Sequence, residues 1–298
     1  MSFKYAFFLF IISSPFFVQS QELHKYFEAD HVKHTEKIKL NVTTKAGTSY
    51  INAISSKKPV IIYGGNENDV AASSFQIKTE NKDHLINAKL TCKEHAGSNF
   101  TEAVAANIFN SSEAKNDMWQ INLSDDVPFD LDLEYLVGSS TVDLSNLAVE
   151  KLKIKSGSAD VFIRYSNKKQ NTVAMDTFFI KVNMGSIEVQ NLDLALAKEI
   201  IAEVGFGSIT LDCGNNWKIN SVVNASVGAG SMTIKLPPTE QAVLVKLNDS
   251  PLCKINLDKD FQKVGHNAYG NTAYRSDATN SISFSVEVGM GSISFITQ

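Results

Sequence analysis

Beyond Met118 the chain alternates apolar and polar residues in short runs, such as Ile209 and Leu211 against Thr210 and Asp212, or Met232 and Ile234 against Thr233 and Lys235. A period of two describes strands with one buried face. One phrase introduces these runs: an apolar residue, often Gly-x, then Gly-Ser, then the alternation. It stands at Gly138-Ser-Ser-Thr-Val-Asp-Leu, Gly157-Ser-Ala-Asp-Val-Phe-Ile and Val182-Asn-Met-Gly185-Ser-Ile. It returns at Val204-Gly-Phe-Gly207-Ser-Ile, Val227-Gly-Ala-Gly230-Ser-Met and Val288-Gly-Met-Gly291-Ser-Ile. Gly138, Gly157, Gly185, Gly207, Gly230 and Gly291 are thus spaced 19, 28, 22, 23 and 61 residues apart. A period of roughly 20 to 25 residues is the mark of a stacked repeat. Glycine at a fixed place supplies either a corner with positive φ or a close approach of neighbouring backbones. The serine that follows can bond locally and support the corner. One such unit cannot bury its apolar face alone, so copies must stack. The pattern predicts an all-β, β-solenoid-like stack of short strands with Gly-Ser corners.

Further strands are predicted at Leu152-Lys-Ile-Lys, Phe178-Phe-Ile-Lys-Val and Ala242-Val-Leu-Val-Lys-Leu, and the 61-residue gap holds a loop or hairpin insertion. Residues 192–204, LDLALAKEIIAEV, carry helix-favouring composition but occupy a strand's place in the repeat, and strand is expected. Residues 21–117 are less regular. Lys45-Ala-Gly-Thr-Ser-Tyr-Ile looks like a degenerate corner, and strands are expected at Pro59-Val-Ile-Ile-Tyr, Ser74 to Lys78 and Leu85 to Cys92. Ala103 to Phe109 is ambiguous, and the polar run Asn110 to Asp117 is the best boundary. This divides the chain into a β-rich N-terminal portion or cap over 21–117 and a repeat domain over 118–298. Residues 21–60 are expected to cap one end of the stack.

The first 20 residues stand apart from this pattern. Lys4 precedes the apolar run Tyr5 to Ile12, Pro15 interrupts it, and Val18-Gln19-Ser20 suits signal-peptidase cleavage before Gln21. The run is short for a membrane span, an uncleaved anchor being the alternative to cleavage, and no later segment approaches 18 apolar residues. A signal peptide over 1–20 and an exported, periplasmic or extracellular protein without a transmembrane segment are expected. Composition agrees with a folded chain: 43% hydrophobic residues, 20% charged, and a net charge of -4. Such a balance offers no footprint for nucleic acid. Cys92, Cys213 and Cys253 are too few for a disulfide scaffold; Cys213 and Cys253 either pair, or all three are small buried hydrophobes.

Candidate chemistry adds little. Gly205-Phe-Gly207 and Gly228-Ala-Gly230 lead into strands, whereas a dinucleotide cradle needs a helix there. Calcium-binding glycine repeats need an Asp in nearly every copy, and these copies carry Ser. The acidic run of Asp125, Asp126, Asp130, Asp132 and Glu134 places its last three members on one strand face, the pattern of a solvated face. His24, His31 and His34 with Asp30 lack a second ligand pair, and His84, His95 and His266 are isolated. Sequons at Asn41, Asn99, Asn110, Asn122, Asn224 and Asn248 match chance in so Asn- and Ser-rich a chain. No catalytic, cofactor-binding or metal-binding residue is expected.

Met118-Trp-Gln-Ile-Asn-Leu-Ser-Asp-Asp-Val-Pro-Phe-Asp-Leu-Asp-Leu, followed by Gly138-Ser-Ser-Thr-Val-Asp-Leu-Ser-Asn-Leu, resembles the bacterial toast-rack domain family. Val142 departs from the Leu of the family's phrase. The closing stretch Tyr269 to Phe295 is similar as well, and the resemblance is weaker over residues 21–117. It implies an exported bacterial protein related to cell wall-active antibiotic response proteins, and it transfers no catalytic residue. The function expected is a non-enzymatic, adhesin-like binding or scaffolding module of the cell envelope, with an envelope protein or glycan as partner. The alternatives are a regulator of envelope or antibiotic stress acting through a membrane sensor, and a cell-wall polymer hydrolase.

Overall fold

The structure, a computed structural model, describes residues 24–30, 37–64, 73–80, 85–92, 118–249 and 254–297. Residues 1–20, where a signal peptide is expected, Ala103 to Phe109, the run Asn110 to Asp117, Cys253, His31, His34, His84, His95 and Asn99 lie outside the described residues.

The N-terminal portion contributes β1 (His24–Ala29), β2 (Lys37–Thr44), β3 (Thr48–Ile54), β4 (Val60–Gly64), β5 (Ser74–Glu80) and β6 (Leu85–Cys92), and β7 (Met118–Ser124) opens the part beyond it. The regular centre follows with β8 (Pro128–Tyr135), β9 (Ser139–Asp143), β10 (Ala148–Ser156), β11 (Asp160–Arg164), β12 (Met175–Val182) and β13 (Ser186–Val189). It continues with β14 (Ala197–Val204), β15 (Ser208–Asp212), β16 (Ser221–Val227) and β17 (Ser231–Leu236). The C-terminal part holds β18 (Val243–Asp249), β19 (Lys254–Asn256), β20 (Gln262–Gly265), β21 (Ala268–Gly270), β22 (Ile282–Val288) and β23 (Ser292–Thr297). Within residues 192–204 only the second half is strand. Leu192–Ala195 form a 3-10 turn flanked by Asn191 at φ 54° and Leu196 at φ 50°, and β14 starts at Ala197.

These strands build an 11-stranded and a 12-stranded sheet around one apolar core. The first sheet runs β1-β4-β7-β3-β9-β11-β13-β15-β17-β23-β19, and the second runs β20-β21-β18-β22-β16-β14-β12-β10-β8-β2-β6-β5. Each rung gives one strand to each sheet, and the central rungs are parallel and in register. Identical inward positions therefore stack: Val142, Ile163, Val189, Leu211, Ile234 and Phe295 form one row of the first sheet. Leu131, Leu152, Phe178, Ile200, Val223 and Phe284 form a row of the second. All are buried. Each rung thus covers apolar surface that its neighbours cannot cover alone, at an inter-strand step of about 4.8 Å.

The glycine corner between the two sheets shows why glycine is required. A Cβ built on Gly185, Gly207, Gly230 or Gly291 lies 2.1, 2.2, 2.2 or 2.3 Å from the carbonyl oxygen of Ala159, Gly185, Gly207 or Gly230 in the preceding rung. None of the four has a positive φ; the demand is backbone approach. Gly138 combines both demands, with φ +106° and a Cβ position 2.0 Å from Gly47 O. Gly157 does not share the register of the other corner glycines. Asp160 pairs with Ser139 and Ser186, so Ala159 stands where Gly185 stands. Gly157 stands instead with Gly205 and Gly228: its N–H donates to Tyr135 O at 2.8 Å, as theirs do to Val182 O and Val204 O.

The opposite corner is built from polar side chains. Asn171 is buried; its Nδ2 donates to Val149 O at 2.6 Å and its Oδ1 accepts from Val149 N at 3.0 Å. Asp143 accepts from the amides of Ser145 and Ser166 and from Arg164 Nε. Burial pushes its carboxyl up, but hydrogen bonds from Ser166 and Ser145 outweigh burial and hold it below the usual range.

Chain order and stack order differ at both ends. Residues 21–60 are not one cap, because β2 and β3 form an inner rung between β6/β7 and β8/β9. The outer strands there are β1, β4 and β5, added antiparallel. The insertion after β17 is more than a hairpin. β18 and β19 make a full rung beyond β22/β23, and the β20-β21 hairpin covers β18 antiparallel. The final strands of the chain are therefore inserted beneath residues that precede them. Antiparallel, short or charged edge strands at both ends limit unwanted strand pairing.

Two outcomes test this account. Gly207→Ala, which forces a Cβ against backbone, lowers unfolding stability by more than about 2 kcal/mol, whereas Gly265→Ala stays within about 0.5 kcal/mol; Gly265 has no atom nearer than 3.5 Å to its Cβ position. Urea melts of the two variants check the contrast. Asp143 is depressed in the folded state, so its contribution is present above the unfolded carboxylate range and lost as pH falls through the folded value. The stability gap between wild type and Asp143→Asn is accordingly widest near neutral pH and narrows below about pH 4.

Candidate functional site

Outward positions of the second sheet stack as strictly as inward ones. One row reads Thr43, Glu134, Lys155, Lys181, Glu203, Ser226 and Glu287, and its neighbour reads Asn41, Asp132, Lys153, Phe179, Ile201, Asn224 and Ser285. Two acidic side chains of β8, Asp130 and Asp132, are thus bound into ion pairs between rungs, as is Glu203 of β14. Lys153 Nζ donates to Asp132 at 2.8 Å, and Lys181 Nζ to Glu203 at 2.8 Å. Lys37 spans two rungs, 3.3 Å from Asp130 and 2.8 Å from Glu150. The hydrogen bond to Glu150, helped by Asp130, holds its ammonium above the usual lysine range.

Where this face meets the glycine corner lies a groove of about 740 Å3. Its polar row is Glu134, Lys155, Lys181 and Glu203, and Phe179 and Met184 give it apolar walls. Lys155 and Lys181 stand side by side in register. Among the described residues, Lys181 has a carboxylate partner within 4.0 Å and Lys155 has none. The groove therefore presents Lys155, unpaired within 4.0 Å although Glu134 adjoins it in register, a paired lysine beside it and an aromatic face, a combination suited to a ligand with an anionic group and an apolar flank.

Of the residues singled out from the sequence, Glu134 and the corner glycine Gly157 line this groove; the other candidates for chemistry fall away from it. Asp125 and Asp126 form the exposed turn before β8. His24 opens β1 and His266 is exposed beside β21. Among the described residues, no group of three or more His, Cys, Asp and Glu is placed to hold a metal. Cys92 and Cys213 are buried, and desolvation pushes both thiols up, which makes them unreactive. Asn122 is buried, whereas Asn41 and Asn224 face outward in the rows above. Sequence reading overlooked the lysines of the groove. The signal was available: Lys153 and Lys155 occupy the polar phase of β10, and Lys181 that of β12, but which strands adjoin was not.

A stack of parallel rungs with a grooved polar face and no helix long and apolar enough to cross a membrane among the described residues defines an all-β repeat protein. The family model for the N-terminal domain of toast_rack, DUF2154, matches residues 19–185, more than half of the chain, and the protein belongs to that family. The match takes in residues 21–117, where the resemblance read from the sequence was weakest. No curated protein matches the sequence significantly. Among solved structures, a candidate cell adhesion protein from Clostridium sporogenes is similar at 18% identity and TM-score 0.43, covering 93% of this chain and 100% of its own. A candidate adhesin from Bacteroides fragilis is similar at 16% identity and TM-score 0.39, covering 93% and 98%.

The ladder is expected to contribute little to stability, since partly exposed pairs are worth about 0 to 1 kcal/mol each. Lys37→Ala should cost no more than about 1 kcal/mol, and the cost should shrink in high salt. Thermal melts at low and high ionic strength check this.

Proposed function

We propose that this protein is an exported, non-enzymatic binding or scaffolding module of the bacterial cell envelope, with the groove beside the glycine corner as its ligand site. The observation that carries the reading is the row Glu134, Lys155, Lys181 and Glu203, set across four parallel rungs and backed by Phe179. In-register rungs repeat side chains at a fixed step of about 4.8 Å, which suits an extended envelope glycan or protein segment carrying anionic groups. Export rests on the leader-like pattern of residues 1–20.

A polymer hydrolase fits the groove poorly. Glu134 and Glu203 belong to β8 and β14, three rungs and about 14 Å apart, whereas glycosidase carboxylates stand about 5 to 9.5 Å apart. The carboxylates that lie closer, Asp130 and Asp132, are taken up by Lys37 and Lys153.

Co-sedimentation with isolated cell-wall sacculi, together with crosslinking in intact envelopes, tests the proposal. The wild-type protein should sediment with sacculi or crosslink to a surface component, and Lys155→Glu/Lys181→Glu should lower that binding about tenfold. Binding unchanged by the double substitution, or none at all, would overturn the assignment of the groove. A membrane sensor kinase as the crosslinked partner would favour the regulatory reading instead.

A further inference from the structure

Three large apolar side chains are the most exposed of their kind among the described residues: Met184 at 62%, Phe206 at 76% and Met290 at 69%. All three stand at the same place, the tip of the glycine corner, in Asn183-Met184-Gly185, Gly205-Phe206-Gly207 and Gly289-Met290-Gly291. Ala229, in Gly228-Ala229-Gly230, completes the row. The tips are locked to one another through backbone. Phe206 N–H donates to Asn183 O at 2.7 Å, Ala229 N–H to Gly205 O at 2.8 Å and Met290 N–H to Gly228 O at 2.8 Å. The row therefore runs Met184, Phe206, Ala229, Met290 on four consecutive rungs, about 14 Å from end to end.

The fold itself does not require apolar tips. One rung earlier the equivalent residue is Ser158, whose N–H makes the same kind of bond, to Leu136 O at 2.7 Å. Apolar surface gathered into one exposed row marks an interaction surface. We propose that this row pairs with the same row of a second copy of this chain, antiparallel, about a two-fold axis.

The order of sizes carries the choice of occupant. The row reads large, large, small, large. A two-fold axis crossing it midway between Phe206 and Ala229 exchanges those two positions and exchanges Met184 with Met290. Each Phe206 ring then enters the step above Ala229 of the second copy, and Met184 meets Met290, whose flexible thioethers adapt to the remaining space. Charge selects the same direction. Lys181, Glu203, Ser226 and Glu287 flank the row on the same four rungs. Antiparallel pairing sets Lys181 opposite Glu287 of the second copy, and Lys181 keeps its bond to Glu203 because an ammonium has three donors. Parallel pairing, with the axis along the row, would carry the two flanking rows to opposite sides and forgo the Lys181–Glu287 contact. With three large side chains per copy the contact is small, so the dimer belongs to the weak, reversible class.

Sedimentation velocity of the full mature chain, from about 5 to about 500 µM, reads the association. The wild type should shift from monomer toward dimer across the series, and Phe206→Ala should weaken association at least about tenfold. Ala229→Phe is decisive: it adds apolar surface yet sets ring against ring, so the dimer weakens, and the swap Phe206→Ala/Ala229→Phe restores it. Tighter association of Ala229→Phe, failure of the swap to restore, or a wild type monomeric throughout would overturn the proposal. Flotation of the wild type with lipid vesicles, abolished by Phe206→Ala while the sedimentation series stays monomeric, would overturn it in favour of a lipid surface.

Discussion

At the glycine corner, the backbone of one rung rests on the backbone of the next with no side chain between them. A carbonyl oxygen occupies the space a Cβ would need, within 2.1 to 2.3 Å at Gly185, Gly207, Gly230 and Gly291. That contact sets both the inter-strand step and the register of the strands leaving the corner. Strict register then makes every side-chain position a row. Inward rows become a continuous core, and outward rows become ladders of charge or of apolar tips.

The same logic explains how the stack ends. A parallel stack grows by adding rungs and has no intrinsic stopping point, so its terminal strands would pair with any suitable edge. Here β1, β4 and β5 at one end, and β20 and β21 at the other, reverse direction and break the repeat. The last strands of the chain, β22 and β23, are covered by the β18/β19 rung. Val243 and Val245 of β18 extend the core outward by one layer.

Two surfaces emerge from one device. The face of the second sheet commits most of its carboxylates to neighbouring lysines, whereas Lys155 makes no ion pair within 4.0 Å although Glu134 adjoins it in register. At the corner, a glycine after each tip, and before it in all but the Met184 rung, leaves the middle residue projecting, so its chemistry is free of the demands of folding. Met184 belongs to both places, lining the groove and opening the apolar row. Ligand binding and self-association would therefore be adjacent events on one edge of the stack.

The amino-acid sequence by itself determined which residues face inward and where the corners fall. Alternation in Ser208–Asp212 or Ser231–Leu236 leaves a single choice of buried face, and a glycine in each corner marks the backbone contact. It misplaced Gly157, because Gly-Ser reads alike in either corner position, and only pairing of Asp160 with Ser186 shows that Ala159 takes the second. The role of Asn171 was hidden for a related reason: its partners are main-chain groups that any sequence offers, and several of Asp143's are too. Only the tertiary structure decided which rungs are neighbours, including β2/β3 between β6/β7 and β8/β9, and β22/β23 beneath β18/β19. Strand edges join through backbone N–H and C=O groups, which are the same in every rung. Side-chain pattern therefore specifies the face a strand buries, while the identity of the strand beside it is settled by how the whole stack closes its ends.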